Sequence, residues 1–258
     1  MKVLKELYSY REMIFSLIRR DLKGRYKGSV LGFFWTFLNP LLQLFVYTVV
    51  FSVVMNSPID NYYLFLFVAL VPWLMFGTSV SGGCACIRSQ QDMVKKIYFP
   101  REVLPVSYVT SQFVNMLLSL IVVFAVLVVS GWGVNGEALL YLPIIMIVEY
   151  LLALGTCLIV SALTVFIRDL EYLLGIITMA WQFLTPIMYS IDMVPEELVP
   201  VFECNPMTPV IVAYRDILFY KQVPQLRTLL HATLFGFVMV IVGFVVFRRL
   251  QKHFAEEM

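Results

Sequence analysis

The residue types that most often carry chemistry are sparse in this chain of 258 residues. Its two histidines, His231 and His253, stand apart from each other and from every cysteine. Of the four cysteines, Cys84, Cys86 and Cys157 fall in or beside apolar runs, and Cys204 sits in a polar segment. No Cys/His spacing matches a zinc site, and nothing indicates a disulfide framework. Hydrolytic chemistry needs paired carboxylates, or a nucleophile within reach of a base. The long apolar runs hold almost no ionisable residue, so neither arrangement is visible. A charge at the bilayer centre costs roughly 2.5–3.5 kcal/mol on insertion scales, so ion-coupled carriers betray themselves by such residues. Their near absence speaks against a self-powered secondary carrier. There is also no Gly-x-x-x-x-Gly-Lys-Ser/Thr loop for ATP. Work done through this chain must draw its energy from elsewhere.

What the sequence does offer is docking chemistry. The stretch Cys86–Pro105 reads CIRSQQDMVKKIYFPREVLP. Met93, Val94 and Ile97 make an apolar face at helical spacing, while Asp92, Lys95 and Lys96 make the polar side. Phe99-Pro100 ends the helix and favours an extended exit, and Arg101-Glu102 leads into the next apolar run. Two readings stand: a helix entering a groove on a soluble partner, or a helix resting on lipid. On the docking reading, Phe99→Ala or Glu102→Arg weakens partner binding and leaves membrane insertion intact. A second connection, Phe166–Glu171, is very short. Its Arg168 can anchor a membrane interface and pair with Asp169 or Glu171, for about 0–1 kcal/mol.

These loops need a scaffold, and composition says which kind. The chain is 60% hydrophobic and 14% charged, with a mean hydropathy of +0.85. Soluble domains are roughly 45–50% apolar and about 25% charged. A disordered chain, a nucleic-acid binder and a typical water-soluble enzyme are excluded. The expected fold is an all-α polytopic membrane protein, with six spans in one domain.

Residues 1–28 place Leu7, Ile14, Ile18 and Leu22 on one helical face, with Arg20, Lys23 and Lys27 roughly opposite. This suits an amphipathic helix lying on a membrane surface, or a basic flank of the first span. The charge pattern and the long apolar run that follows are unlike a secretory signal, so the N-terminus is expected to stay.

Spans are expected at about 29–55, 62–84, 106–130, within 138–167, 172–189 and 229–247, with a tail over 248–258. Asn39-Pro40 should bend the first; Pro72 and Gly82-Gly83 should disturb the second. Sixteen of the nineteen Lys and Arg residues fall on the side of the two termini. Arg215, Lys221 and Arg227 fall on the other. That bias makes both termini cytoplasmic. Glu149, 19 residues before Arg168, is expected at the outer interface, roughly 28 Å away along a helix.

Between spans five and six lie about 36 residues, too long for a turn. The apolar stretch 209–219 is too short to cross. Two short interfacial or re-entrant helices fit, as an outer gate or a plain surface lid.

The ordered set of motifs resembles the membrane subunit of bacterial ABC exporters for lipid-linked polysaccharides, the O-antigen, capsule and teichoic acid type. The N-terminal signature is LIRRDLKGRYKGS over 17–29, then Leu31-Gly32, Trp35 and Asn39-Pro40. KKIYFPRE over 95–102, FIRDL over 166–170, TPIMY over 185–189 and Asn205-Pro206 complete it. The likeness covers almost the whole chain. It implies a homodimer bound to two copies of a separate ATPase, which holds the ATP and Mg. It implies that Asp92–Glu102 is the main coupling helix and Arg168-Asp169 a lesser contact. Pro186, Tyr189, Asn205 and Pro206 would belong to the outer gate helices. It also implies a polymer path, for which Phe33, Phe34, Trp35 and Phe37 offer aromatic faces; belt or packing roles compete. Trp35 stands where the family motif carries an aromatic residue. Membrane lipids and a lipid-linked glycan are the other partners. An ABC permease for a drug or small lipid, an ion-coupled carrier and a membrane glycan-modifying enzyme remain as alternatives; Glu196 and Glu197 keep the last one open.

Overall fold

The computed structural model describes residues 2–24 and 28–257. Arg25, Tyr26 and Lys27 of the N-terminal signature, with Met1 and Met258, lie outside the described residues. Among the described residues every regular element is helical.

Among the described residues, five stretches are long and apolar enough to cross a membrane: Gly32–Val54, Tyr62–Ala85, Val103–Val129, Gly136–Phe166 and Leu226–His253. They contain α3 (Trp35–Thr48), α4 (Tyr62–Ser81), α6 (Val103–Val129), α8 (Leu142–Phe166) and α12 (Leu226–Leu250). Before them come α1 (Lys2–Ser9) and α2 (Arg11–Gly24). The short helices α5 (Gln91–Lys96), α7 (Gly136–Leu139), α10 (Val199–Glu203) and α13 (Phe254–Glu257) join or end the longer ones. The expected fifth span is a shorter helix, α9 (Leu170–Phe183), of 14 residues. At 1.5 Å per residue it reaches about 21 Å, against a hydrocarbon core of about 30 Å. It stops because Thr185 precedes Pro186, and the residue before a proline is pushed out of the helical region.

Pro40 does not break the first span. The helix runs through it, and the Ser119 hydroxyl lies 3.5 Å from the Thr36 carbonyl that the missing proline N–H leaves free. The irregularity comes later, as a π-helical stretch over Val49–Val54. Pro72 also sits inside a continuous helix, whereas Gly82-Gly83 does end it.

Helix α4 is the centre of the molecule. It is apolar all round, and nearly every residue from Leu64 to Phe76 is buried. Such a helix has to be surrounded by protein. Packed against it are α3, α6, α8, α9 and α11 (Met207–Leu218). The N-terminal pair is tied in too: α2 buries Leu17 and Ile18 and packs on α6, where Ser111 donates to Asp21. Arg19, Arg20 and Lys23 stay exposed.

Helices α8 and α12 approach backbone to backbone. A Cβ on Gly155 would lie 2.3 Å from the Met239 carbonyl carbon, and one on Gly243 2.5 Å from the Gly155 carbonyl oxygen. Small residues at crossing points let apolar helices pack this closely. Gly155→Val is therefore expected to force the pair apart, costing about 1–3 kcal/mol as overpacking does. An unchanged melting temperature in detergent would contradict that packing.

Candidate functional site

Two regions concentrate the candidate residues, one at each end of the helices. At the first end the two connections between helices meet. Arg88, just before α5, pairs with Glu171 in the first turn of α9 at 2.9 Å. Glu171 is thus taken by Arg88 and not by Arg168. Ile167, Arg168 and Asp169 are exposed beside it.

Helix α5 carries Asp92 and Lys96 as an i,i+4 pair at 3.9 Å, both highly exposed, with Lys95 exposed as well. Val94 is buried and Met93 half-buried, so the apolar face points into the protein. The helix ends at Lys96, and Ile97 is extended, with φ −125° and ψ 134°. That extension turns Ile97 and Tyr98 outward, 58% and 96% exposed.

Phe99 and Glu102 go the other way, 6% and 4% exposed. Glu102 accepts from Arg248 Nε at 3.3 Å and Gln251 Nε2 at 3.2 Å. Arg101 donates to the Gln251 carbonyl and lies 5.7 Å from the Phe254 ring centre. Arg248 also reaches Glu6 at 4.0 Å. Pro100, half-buried, sits between these two sets. The structure thus divides the 92–102 segment into an outward part, Asp92, Lys95, Lys96, Ile97 and Tyr98, and an anchoring part, Phe99, Arg101 and Glu102. Substitution of Phe99 or Glu102 therefore acts on the fold of this corner as well as on any surface.

The aromatic group at the start of α3 is present as a cluster. Phe33 and Phe34 lie edge-on to Phe37, with ring centres 5.4 and 6.3 Å apart. Trp35 donates to Ser29 Oγ at 3.0 Å. Phe33, Phe34 and Trp35 remain exposed on the surface of the single chain.

At the opposite end, the chain after α9 forms a buried irregular turn. Thr185, Pro186, Ile187 and Met188 are all buried. Unpaired backbone there would be costly, so partners must come from elsewhere. Arg215 of α11, 3% exposed, supplies them. Its guanidinium donates to the carbonyls of Pro186, Ile187 and Tyr189, the last at 3.0 Å. It also stacks 3.6 Å from the ring centre of Phe65 on α4. Tyr62 donates to the Met188 carbonyl at 2.8 Å.

Asn205 is the second clamp. Its Nδ2 donates to the Leu184 carbonyl at 3.0 Å and Thr185 Oγ1 at 2.9 Å. Its Oδ1 accepts from Trp181 at 2.8 Å and from the Met207 backbone at 3.0 Å. Pro206 then leads directly into α11. The ring of Tyr189 packs 6.1 Å from that of Phe202 in α10. The four residues singled out from the sequence, Pro186, Tyr189, Asn205 and Pro206, are thus brought together.

Helix α11 is buried along almost its whole length, between α4, α8 and α12. This covering also explains Glu149. It is fully buried, seven residues into α8 and far from Arg168 at the other end of that helix. Tyr214 of α11 donates to its Oε2 at 2.5 Å, and Oε1 has no protein partner. Tyr214→Phe leaves this carboxyl unpaired and is expected to lower stability by about 1 kcal/mol. A melting temperature equal to wild type would contradict the contact. In the last turn of α11, burial raises the pKa of Asp216, and the hydrogen bond from Gln222 opposes the rise.

Arg215 and the Glu149–Tyr214 pair carry more of this region than the sequence alone indicates. A lone arginine within the apolar stretch 209–219 was the available signal.

A family model described as ABC-2 type transporter matches residues 12–219. The chain belongs to the ABC-2 type transporter family. An O-antigen export system permease protein, RfbA of Myxococcus xanthus, is 34% identical over 99% of this chain and 98% of its own length. The protein of the same name from Klebsiella pneumoniae is 34% identical over 95% of this chain and 94% of its own. The polysialic acid transport protein KpsM of Escherichia coli is more distant, 20% identical over 90% and 91%. In this ABC-2 type transporter chain the family match takes in both regions described above, from α2 to the end of α11. Helix α12 lies beyond it, but the relatives extend through it.

Proposed function

We propose that this chain is the membrane subunit of an ATP-driven exporter of a lipid-linked polysaccharide. Similarity to O-antigen export permeases over nearly the full length carries the reading. The match to a polysialic acid transport protein favours the same substrate class.

In this account the chain sits in the cytoplasmic membrane with both termini inside. The surface formed by Asp92, Lys95, Lys96, Ile97 and Tyr98, with Arg168 and Asp169 beside it, receives a separate ABC ATPase. That subunit, in two copies, holds the ATP and Mg. The exposed basic and aromatic side chains support this role: charge steers and orients, and the aromatic supplies contact area. Two copies of this chain form the pathway. The exposed apolar flank of α3 and α9, with Phe33, Phe34, Trp35 and Phe37 at its end, is the surface that a second copy and the polymer would share.

Helix α9 completes a sixth crossing together with the turn 184–189. Irregular backbone is tolerated at membrane depth when protein covers it and satisfies its polar groups. Arg215, Tyr62 and Asn205 do this here, which supports α10 and α11 as short outer helices that gate the exit. ATP binding on the partner would shift the dimer between states only through different affinity for each.

Deleting the gene tests this function. Loss of surface polysaccharide with accumulation of cytoplasmic lipid-linked glycan is the expected result. Unchanged surface polysaccharide would overturn it, and altered drug or lipid efflux in its place would favour the small-molecule permease.

A further inference from the structure

A cavity of about 470 Å³ opens beside the outer helices, between one side of α11, the start of α12 and the turn at Ser190–Asp192. Its size falls in the range of small-ligand sites, roughly 300–1,000 Å³. Two residues of its lining each carry a covered polar atom without a protein partner, Thr208 Oγ1 and Arg215 Nε. Thr208 is 5% exposed and Arg215 3%. Buried polar groups are normally paired, so an unpaired hydroxyl and N–H just behind one cavity wall point to a polar occupant.

The other walls define its chemistry. Glu203 and Arg227 face each other at 3.3 Å, and Asp216 accepts from Gln222 at 2.9 Å. With Arg215 and Asp192 the lining carries two cations and three carboxylates. That balance disfavours a phosphate or other multivalent anion. It suits a neutral ligand whose groups both donate to carboxylates and accept from Arg and Thr. The half-exposed ring of Tyr220 adds an apolar face for C–H groups. A polyhydroxylated ring has this combination.

We infer that this cavity binds a saccharide unit of the exported polymer on the outer side of the protein, through Thr208, Arg215, Arg227 and His231. The inference rests on the polysaccharide-export reading and names where on that route a sugar is held. Arg215 links the site to the exit: the same guanidinium holds the turn 184–189. An occupant of the cavity therefore lies against the residue that fixes the gate.

The test uses the chain with its ATPase partner in lipid nanodiscs. A bimane fluorophore on Cys204 reports on the cavity; Cys204 follows Glu203 and is exposed, whereas the other three cysteines are buried. The probe is the repeat-unit oligosaccharide released by mild acid from the native cell's surface polysaccharide, with inorganic phosphate as the contrast. A saturable change with the oligosaccharide is expected. Thr208→Val and His231→Ala should each weaken it about fivefold, the worth of one hydrogen bond. Thr208→Val removes a hydroxyl that holds nothing in the protein, so its melting temperature should not fall. No saturable change, wild-type affinity in both variants, or saturation by phosphate in place of sugar would overturn the proposal. The gene deletion separates the two failures. Unchanged surface polysaccharide on deletion sinks the export reading itself. Loss of surface polysaccharide on deletion, with no oligosaccharide response, sinks the cavity alone.

Discussion

Arg215→Met is expected to destabilise the protein by about 3–5 kcal/mol and to abolish export. Methionine keeps the apolar stem but removes every donor. The carbonyls of Pro186, Ile187 and Tyr189 then lose their partner inside a buried turn. The contact with the Phe65 ring goes as well, and a desolvated cation–π contact is itself worth about 2 kcal/mol. Arg215→Lys should fall between, because a single ammonium cannot reach three carbonyls in the fork geometry of a guanidinium. Thermal unfolding in mild detergent reads the effect directly. A melting temperature within a degree or so of wild type for Arg215→Met would mean that the turn is held by other contacts.

The second large effect belongs to the opposite end. Replacing Ile97 and Tyr98 together by alanine should weaken ATPase association about 10–100-fold, the worth of one buried aromatic hot spot. Both side chains are exposed in the free chain, so folding should be untouched. Export should fall with affinity, while the ATPase subunit keeps its own basal turnover. Glu102→Arg makes the informative contrast. It places a cation against Arg248 and Gln251, so it should lower stability together with association. The two classes separate on a plot of melting temperature against partner affinity. Normal association in the Ile97/Tyr98 double variant would remove this surface from the coupling account.

Much of the architecture was legible because bilayer burial leaves a coarse signal. Long uncharged runs predict helices, and four of the expected spans lie close to the observed ones, 62–84, 106–130, 138–167 and 229–247. The first is present too, but its irregular part lies at Val49–Val54 and not at Pro40. Pro40 looks like a break, yet a serine on a neighbouring helix sits near the carbonyl it frees. Such rescue depends on a residue 79 positions away and leaves no local trace. The fifth expected span exceeds the observed helix for a similar reason. The run through Tyr189 is apolar enough, but Thr185-Pro186 ends the helix, and the rest of the segment is held by Arg215 and Asn205.

The candidate site was legible by composition and not by direction. The segment 92–102 carries the right residue types, but an amphipathic pattern does not say which of them face a partner. The extended Ile97 reverses the simple helical assignment, turning Ile97 outward and Phe99 inward. Counting along one helix gives the depth of Glu149 but not what covers it. Its burial follows from α11 folding back over it, which no period in α8 could reveal.

The central claim is that this chain is a permease driven by an ATPase on another polypeptide. Its most direct test is to isolate the tagged chain from its native cell in mild detergent and identify by mass spectrometry what comes with it. A P-loop ATPase in about equal amount, lost in the Ile97/Tyr98 double variant, is the predicted result. No ATPase, together with ion-driven transport by the chain alone, would contradict the account and make the protein a secondary carrier.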